Sequence, residues 1–244
     1  MVANSETWQG VIDRIGRWVD FEGAYRTMDK DFMESVWWAF KQLYEAGKIY
    51  EGEKVLMYDT KFATPVSKAE VTMDNDAYQT VTDPSVYVKF QLEGEDAAIL
   101  AWTTTPWTLP ANLMLAVNPD MTYCEVLVDG EKLIIAEEAL ERALQDEKHQ
   151  PLDYEVLRKF PGSELVGKAY QPLDTGSAWP ENDKIHTIYA ADFVSHESGT
   201  GIVHIAPAYG EDDFELAKRH GISAFHVIDD NGYYTDGNYK GLGW

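Results

Sequence analysis

The segment from Trp102 to Asn112 concentrates hydroxyl groups in a stiff piece of chain. Its eleven residues include four threonines, two tryptophans and two prolines. Proline fixes φ and removes a backbone donor, so the hydroxyls of Thr103–Thr105 and Thr108 are expected in a rigid frame rather than a mobile loop. Hydroxyls held in this way can orient a ligand. A strand end with internally satisfied hydroxyls is the commoner explanation for such residues, and both interpretations stay open at this point.

A second polar segment ends in the acidic run Glu211-Asp212-Asp213. Carboxylates in the first turn of a helix interact favourably with its dipole and can cap free N–H groups. Judged from the residues alone, this structural role is sufficient for Asp213.

Several familiar catalytic and metal-binding motifs are absent from the sequence. A Gly-x-Ser-x-Gly elbow around Ser198 would need glycine at position 196, which is a histidine. His196 and His204 do not have zincin spacing, and Gly232 falls too early for a calcium loop. Because the sequence also contains no phosphate-binding glycine motif, we expect neither a metal nor a cofactor.

Composition excludes some classes of partner. The 244 residues are 45% hydrophobic, and their formal net charge of −22 argues against a positive envelope around a nucleic-acid backbone, and therefore against DNA binding. The single cysteine, Cys124, cannot form an intramolecular disulfide, which favours a reducing, cytoplasmic location. No apolar run reaches the length of a membrane span, so no membrane partner is expected.

Local patterns predict short strands with helices at their margins. Apolar residues at helical spacing predict a helix over residues 29–47, with Asp29 at its start, Gly47 after its end and an aromatic face around Trp37 and Trp38. Alternation and turn residues predict the other elements. The expected strands are 54–58, 86–92, 97–103, 126–128, 133–135, 154–157, 185–189, 201–205 and 224–228, with helices at 136–146 and 211–220.

Short strands dominate this pattern, which favours a closed or nearly closed β-barrel with peripheral helices over a doubly wound sheet. We therefore expect a mixed fold of β with α. An N-terminal helical entry segment is assigned to residues 1–74 and the barrel domain to residues 75–244.

Three segments resemble one known family. They are Trp102–Asn112, the stretch Gly199-Thr-Gly-Ile-Val-His204-Ile-Ala-Pro207, and Gly210-Glu-Asp-Asp213. Together they resemble the editing (connective polypeptide) domain of isoleucyl-tRNA synthetase, a class I aminoacyl-tRNA synthetase. Related valyl and leucyl enzymes carry an arginine after the threonines, where this sequence has Pro106. The flanking segments 16–20, 33–38 and 64–67 resemble the lead into that insertion, so the resemblance covers nearly the whole chain.

Two departures from the family pattern matter. Enzymes of this type often carry a Cys-x-x-Cys zinc knuckle, but the corresponding positions here are Asp59 and Phe62, so that zinc is not expected. The His-Ile-Gly-His and Lys-Met-Ser-Lys-Ser signatures of the ATP-dependent activation site are also absent from the sequence. We therefore interpret the chain as part of a larger synthetase, without ligase activity of its own.

The resemblance implies a hydrolase that proofreads mischarged valyl-tRNA(Ile). Its partners would be the aminoacylated 3′ end of the tRNA, the valine moiety and the remainder of the synthetase. By the same resemblance, Thr103, Thr104, Thr105 and Asp213 are the catalytic candidates. Substrate binding is assigned to Trp102, Thr108, Asn112, His204 and Asp213, with Asp213 receiving the α-ammonium and His204 limiting side-chain size.

Two alternatives to this enzyme remain. The chain could be a module that binds the charged tRNA end, or an analogue of it, without appreciable turnover. A general hydrolase of small esters is a weaker alternative, because the sequence contains no evident activated nucleophile.

Overall fold

The computed structural model describes residues 2–71, 77–146 and 148–243. It divides into two compact units, Met1–Glu53 and Lys54–Trp244. The expected boundary between residues 74 and 75 lies outside the described residues. The division into segments 1–74 and 75–244 therefore stays a prediction.

The first unit contains two helices, α1 (Val2–Arg14) and α2 (Lys30–Glu45). Helix α2 confirms the predicted helix, and Gly47 after its end has a φ of +67°. Asp29 precedes it in an extended conformation, but its side chain makes no capping hydrogen bond. No residue of α2 is buried, and Trp37 and Trp38 are about two-thirds exposed, at 68% and 66%. The aromatic face of this helix is thus on the surface of its unit.

The described residues of the second unit form ten strands and two further α-helices. The strands are β1 (Tyr58–Asp59), β2 (Thr64–Pro65), β3 (Val86–Gln91), β4 (Ala98–Thr103), β5 (Met114–Val117), β6 (Thr122–Val128), β7 (Glu131–Ala136), β8 (Tyr154–Pro161), β9 (Thr187–Ala190) and β10 (Ile202–Ile205), and the helices are α3 (Leu140–Ala143) and α4 (Glu211–His220). No helix among the described residues is both long and apolar enough to span a membrane.

Five strands form one sheet in the order β3-β4-β7-β6-β8, and only the β4–β7 pair is parallel. The β6–β7 hairpin is the one that Asp129-Gly130 predicts. Both turn residues have positive φ, +49° and +84°, as a two-residue turn of this kind requires. The parallel pairing joins Ala98 and Ile99, at the start of β4, to Leu133 and Ile134 of β7.

A second sheet has the order β10-β5-β9. All four residues of its central strand β5 are buried because both faces are covered. Leu115 and Val117 belong to the core shared with the five-stranded sheet, whereas Met114 and Ala116 pack in a cluster with residues of α4. The second sheet therefore lies between the first sheet and helix α4.

The two sheets are open, so the closed barrel expected from the sequence is not shown. Residues 168–171 lie between them and make single-residue bridges, Leu92 with Tyr170 and Ala169 with Thr187, rather than a strand. Local alternation cannot distinguish such bridges from strands, because pairing depends on partners that are distant in sequence. For the same reason two strand predictions were wrong: only Tyr58 of residues 54–58 lies in a strand, and 224–228 contributes one bridge at Ile228.

Of the two helices predicted in the second unit, one is confirmed and the other is shorter than predicted. Helix α4 has the predicted limits, and Gly221 after it is left-handed, with a φ of +71°. The helix predicted over 136–146 is shorter: a 3₁₀ turn at Glu137–Ala139 leads into the single turn of α3.

Candidate functional site

A pocket of about 230 Å³ opens between the end of β4 and the chain that leads into β10. Trp102, Thr103 and Thr104 line one wall, and Phe193, Ser195 and residues 198–203 line the other. The lining side chains are aromatic, aliphatic or hydroxyl-bearing, and none of them is ionisable. Such a lining offers apolar contacts and hydrogen bonds to the part of a ligand that enters the pocket.

The threonine segment is rigid because two of its four hydroxyls hold its own backbone. The Thr105 amide donates to Thr103 Oγ1 at 3.0 Å, and Thr108 Oγ1 donates to the Thr105 carbonyl at 2.8 Å. Pro106 then begins a 3₁₀ turn that extends to Ala111. Thr104, by contrast, is exposed on the pocket wall, and no hydrogen bond of its hydroxyl is recorded among the described residues. Thr105 is exposed as well, but Thr104 is the exposed threonine that lines the pocket.

Behind this segment, His204 is buried with both ring nitrogens hydrogen bonded. Nε2 lies 2.8 Å from Thr108 Oγ1, and Nδ1 lies 3.1 Å from Asn112 Nδ2. Asn112 also donates to the Met114 carbonyl at 2.9 Å and accepts from the Tyr170 hydroxyl at 2.6 Å. The network joins β10 to the 3₁₀ turn and to residues 168–171.

These partners determine the tautomer of His204. The Met114 carbonyl can only accept, so it fixes the Asn112 amide with its nitrogen toward the imidazole. Nδ1 must therefore accept and Nε2 must carry the proton, because Thr108 already donates to Thr105. Burial lowers the pKa of His204 to about 4, so the ring is neutral near pH 7. A neutral imidazole with no unengaged nitrogen is not set up as a general base.

Asp213 occupies the first turn of α4 and is only partly exposed. Its Oδ2 accepts a hydrogen bond from the Ala206 amide at 2.8 Å, just beyond the end of β10. A Cβ at Gly210 would lie 2.9 Å from the Asp213 carboxyl carbon, so a larger residue there would displace the carboxylate. Burial raises the pKa of Asp213 to about 6, the Ala206 amide opposes that rise, and the charge of Asp212 adds to it.

The structure thus brings together some of the sequence-predicted site residues and separates others. Trp102, Thr103 and Thr104 line the pocket. Thr108, Asn112 and His204 form the buried network behind it. Asp213 is connected to that network through the backbone of β10 and is not among the pocket-lining residues, and neither is Thr105.

Sequence reasoning missed several residues of the site. Phe193 and Ser195 line the pocket, Tyr170 completes the network, and the Arg142 side chain donates to the Gly199 carbonyl at 2.8 Å. A local signal existed only for the loop itself, in the spacing of Gly199 and Gly201, which both have positive φ. Nothing near Arg142 or Tyr170 in the sequence indicates these distant partners.

No group of three or more His, Cys, Asp or Glu side chains among the described residues could hold a metal ion. At the positions where related enzymes carry a zinc knuckle, Asp59 Oδ1 accepts from the amides of Lys61 and Phe62 at 2.8 and 3.0 Å. A carboxylate therefore closes the β1–β2 turn through hydrogen bonds.

Comparison with known proteins identifies the family. The profile described as tRNA synthetases class I (I, L, M and V) matches residues 1–198. The chain belongs to this class I tRNA synthetase family. This synthetase chain is also 43% identical over 233 residues to an isoleucine--tRNA ligase of Chlamydia abortus and 45% identical over 250 residues to that of Corynebacterium diphtheriae. Both matches cover 95% of the chain but only 22% and 23% of the relatives. The synthetase chain thus spans less than a quarter of their length.

The fold of the synthetase chain is similar to that in "The crystal structure of GlLeuRS-CP1", with a TM-score of 0.52 and 15% sequence identity. The match covers 66% of this chain and 91% of that one. The resemblance to the editing-domain region of isoleucyl enzymes is confirmed, and the fold is a mixed α/β fold like that of a CP1 domain.

Two of the perturbed groups near this site, His204 and Asp213, predict opposing effects of pH on stability. The folded pKa of His204 is depressed, so its stabilising contribution is lost as pH falls from about 6.5 toward 4. The folded pKa of Asp213 is raised, so its contribution is present at low pH and is lost as pH rises through about 6. Asp213→Asn removes only the second effect. Relative to the unmodified chain, this variant should lose about 1 kcal/mol of unfolding free energy between pH 7.5 and pH 5.

Urea unfolding at several pH values measures this difference. Glu211→Gln is the matched control, since Glu211 is an exposed carboxylate in the same helical turn and, unlike Asp212, does not contribute to the raised pKa of Asp213; its difference from the unmodified chain should stay constant. A constant difference for Asp213→Asn as well would contradict the raised pKa.

Proposed function

We propose that this chain carries the editing site of an isoleucyl-tRNA synthetase and hydrolyses the aminoacyl ester of valyl-tRNA(Ile). The observation that carries the proposal is an uncharged pocket, lined by Thr103 and Thr104, beside a strand whose end holds the Asp213 carboxylate. An ionised carboxylate has about four acceptor sites, so one bond from Ala206 leaves capacity for a substrate ammonium. Such a charge-assisted bond would anchor the aminoacyl group.

The need for this reaction follows from a limit on binding. A hydrophobic pocket distinguishes one methylene by only about 1–3 kcal/mol, and isoleucyl enzymes, at roughly 150-fold for isoleucine over valine, are the standard example of it. A second pocket that admits valine and excludes isoleucine removes the error. In this proposal His204 and the elements it holds limit the space for the side chain.

The proposed reaction needs no covalent enzyme intermediate. Water attacks the ester carbonyl carbon, the bond to the ribose oxygen breaks, and that oxygen takes up a proton as valine leaves. Because both His204 nitrogens are engaged, we assign the orientation of the water to the free hydroxyl of the terminal ribose. The protein supplies proximity and polar stabilisation of the tetrahedral intermediate, with Thr104 as the exposed hydroxyl that lines the pocket.

The charge of −22 is compatible with this substrate. An editing site needs contact only with the single-stranded 3′ end, where stacking and a few hydrogen bonds suffice. In the proposal Trp102 contacts that end, and Thr108 and Asn112 support the loop beside it. The remainder of the synthetase would supply the basic surface, and a cytoplasmic location is proposed with it.

We further propose that the two open sheets act as the walls of a barrel-like domain. Two backbone connections support this reading. Residues 168–171 bridge β3 to β9, and the Ala136 amide at the end of β7 donates to the Thr200 carbonyl just before β10.

A second candidate is a module that binds the charged end without turnover. It is favoured by the neutral, fully bonded state of His204, since the site then offers no evident general base. Titration with a non-hydrolysable valyl-adenosine analogue and a deacylation assay with valyl-tRNA(Ile) at high protein concentration separate the two. Hydrolysis of the valyl ester with sparing of isoleucyl-tRNA(Ile) supports editing, whereas binding without hydrolysis supports the module.

Asp213→Asn should lower deacylation of valyl-tRNA(Ile) by about 10- to 100-fold, the equivalent of one charge-assisted hydrogen bond. The amide retains an acceptor for Ala206 but lacks the charge that holds the ammonium. Activity of the unmodified chain should also fall as pH drops below about 6, where Asp213 becomes protonated. Asp212→Asn should stay within about twofold of the unmodified chain. Full activity of Asp213→Asn would remove the anchoring role.

Thr104→Val should slow deacylation about tenfold without changing the melting temperature, because its hydroxyl has no recorded partner among the described residues. Thr103→Val should lower both activity and stability, since Thr103 Oγ1 accepts the Thr105 amide. The comparison combines initial rates with thermal unfolding. Equal behaviour of the two variants in both measurements would argue against a direct role for Thr104.

His204→Ala should allow hydrolysis of isoleucyl-tRNA(Ile) to rise about tenfold or more, because space for the larger side chain opens. Thr108→Val is the control: it removes the partner of Nε2 but leaves the imidazole in place. Rates with isoleucyl and valyl esters are compared at a temperature where both variants are folded. If Thr108→Val hydrolyses the isoleucyl ester equally well, the bulk of His204 is not what excludes isoleucine.

A further inference from the structure

Three consecutive carbonyls of the pocket wall are held by donors from one part of the chain. The Gly199 carbonyl accepts from Arg142, the Thr200 carbonyl from the Ala136 amide at 3.0 Å, and the Gly201 carbonyl from the Tyr123 hydroxyl at 2.7 Å. These donors come from β6, β7 and α3, which follow one another in the chain. All three carbonyls are therefore held by hydrogen bonds from the β6–β7–α3 segment.

Arg142 differs from the other two donors. Ala136 ends a strand and Tyr123 is fully buried, so both are fixed by the fold. Arg142 is an exposed residue of the single-turn helix α3. Its Nε and Nη2 donate to the Gly199 carbonyl, and Nη2 also donates to the His196 carbonyl at 2.8 Å. No ion pair of Arg142 with a carboxylate is recorded among the described residues. Its guanidinium is directed at the loop.

The loop that Arg142 holds determines the width of the pocket. Gly199 has a φ of +64°, and a Cβ at that position would lie 2.9 Å from Trp102 Cε3. The backbone of Gly199 therefore contacts the ring of Trp102, which belongs to the opposite wall. Arg142 holds the carbonyl of the same residue. A shift of Gly199 would change the gap between the two walls directly.

We propose that Arg142 is a positioning residue that sets the distance between the 196–199 loop and Trp102, and through it the fit of the ligand in the pocket. The planar guanidinium suits this role because its donors form a fixed fork that can reach two carbonyls, whereas a lysine ammonium is a point charge on a flexible stem. The effect of Arg142 on ligand fit rests on the proposed editing function, whereas its effect on the position of the loop does not depend on that function.

The test uses Arg142→Met, Arg142→Lys and the charge-matched control Arg158→Met in the full chain. Arg158 lies on the edge strand β8 and pairs with Glu125, away from the pocket lining. Hydrogen exchange of residues 195–202, affinity for a non-hydrolysable valyl-adenosine analogue, and KM and kcat for deacylation are measured. For Arg142→Met we expect faster exchange in this segment, an affinity about tenfold weaker and a KM raised to match, with kcat changed less than about threefold.

Arg142→Lys should recover part of the affinity, and Arg158→Met should leave exchange and affinity unchanged. Unchanged exchange at 195–202 in Arg142→Met overturns the proposal, as does a loss confined to kcat. If the unmodified chain neither binds the analogue nor hydrolyses the ester, the proposed function fails. The exchange measurement still decides whether Arg142 holds the loop.

Discussion

The hydrogen bonds of the His204 imidazole are the interaction on which the site depends. They connect β10 to the 3₁₀ turn after Thr105, and through Asn112 to Tyr170. In this buried network the donor and acceptor roles of the hydrogen-bonded groups are mutually consistent. Leaving one such group unpaired costs about 1–3 kcal/mol, so the network specifies a single arrangement of the three segments. The same constraint makes His204 neutral and removes it from acid–base chemistry.

That constraint leaves the chemistry to other groups. The imidazole is engaged and no ionisable side chain lines the pocket. Among the described residues, Asp213 is the carboxylate whose pKa is raised, and it follows β10 closely in the chain. Its raised pKa reflects burial without a cationic partner, a state that a bound ammonium would relieve. In the proposed function, the α-ammonium of the aminoacyl group would supply this cationic partner.

The pocket walls depend on long-range pairing. One wall continues from β4, and the other is held by donors from the β6–β7–α3 segment, which pairs with β4 through β7. Both walls are therefore connected to the β6–β7 hairpin. Because Gly199 and Gly201 permit close backbone approach to Trp102 and Ala136, small displacements of that hairpin would be transmitted to the pocket.

The sequence alone determined the features that depend on neighbours in the chain. These were the hairpin at Asp129-Gly130, the limits of α4 with Gly221 after it, the helix ending before Gly47, and the motifs that resemble the isoleucyl family. Only the tertiary structure decided that the sheets stay open, that Thr104 rather than Thr103 presents an accessible hydroxyl, that Asp213 stands outside the pocket lining, and that Arg142 holds the pocket loop. The physical reason is that turn and helix-end conformations are set by local φ/ψ preferences, whereas the partner of a hydrogen-bonding group such as His204, 96 residues from Thr108, is set by how distant segments pack.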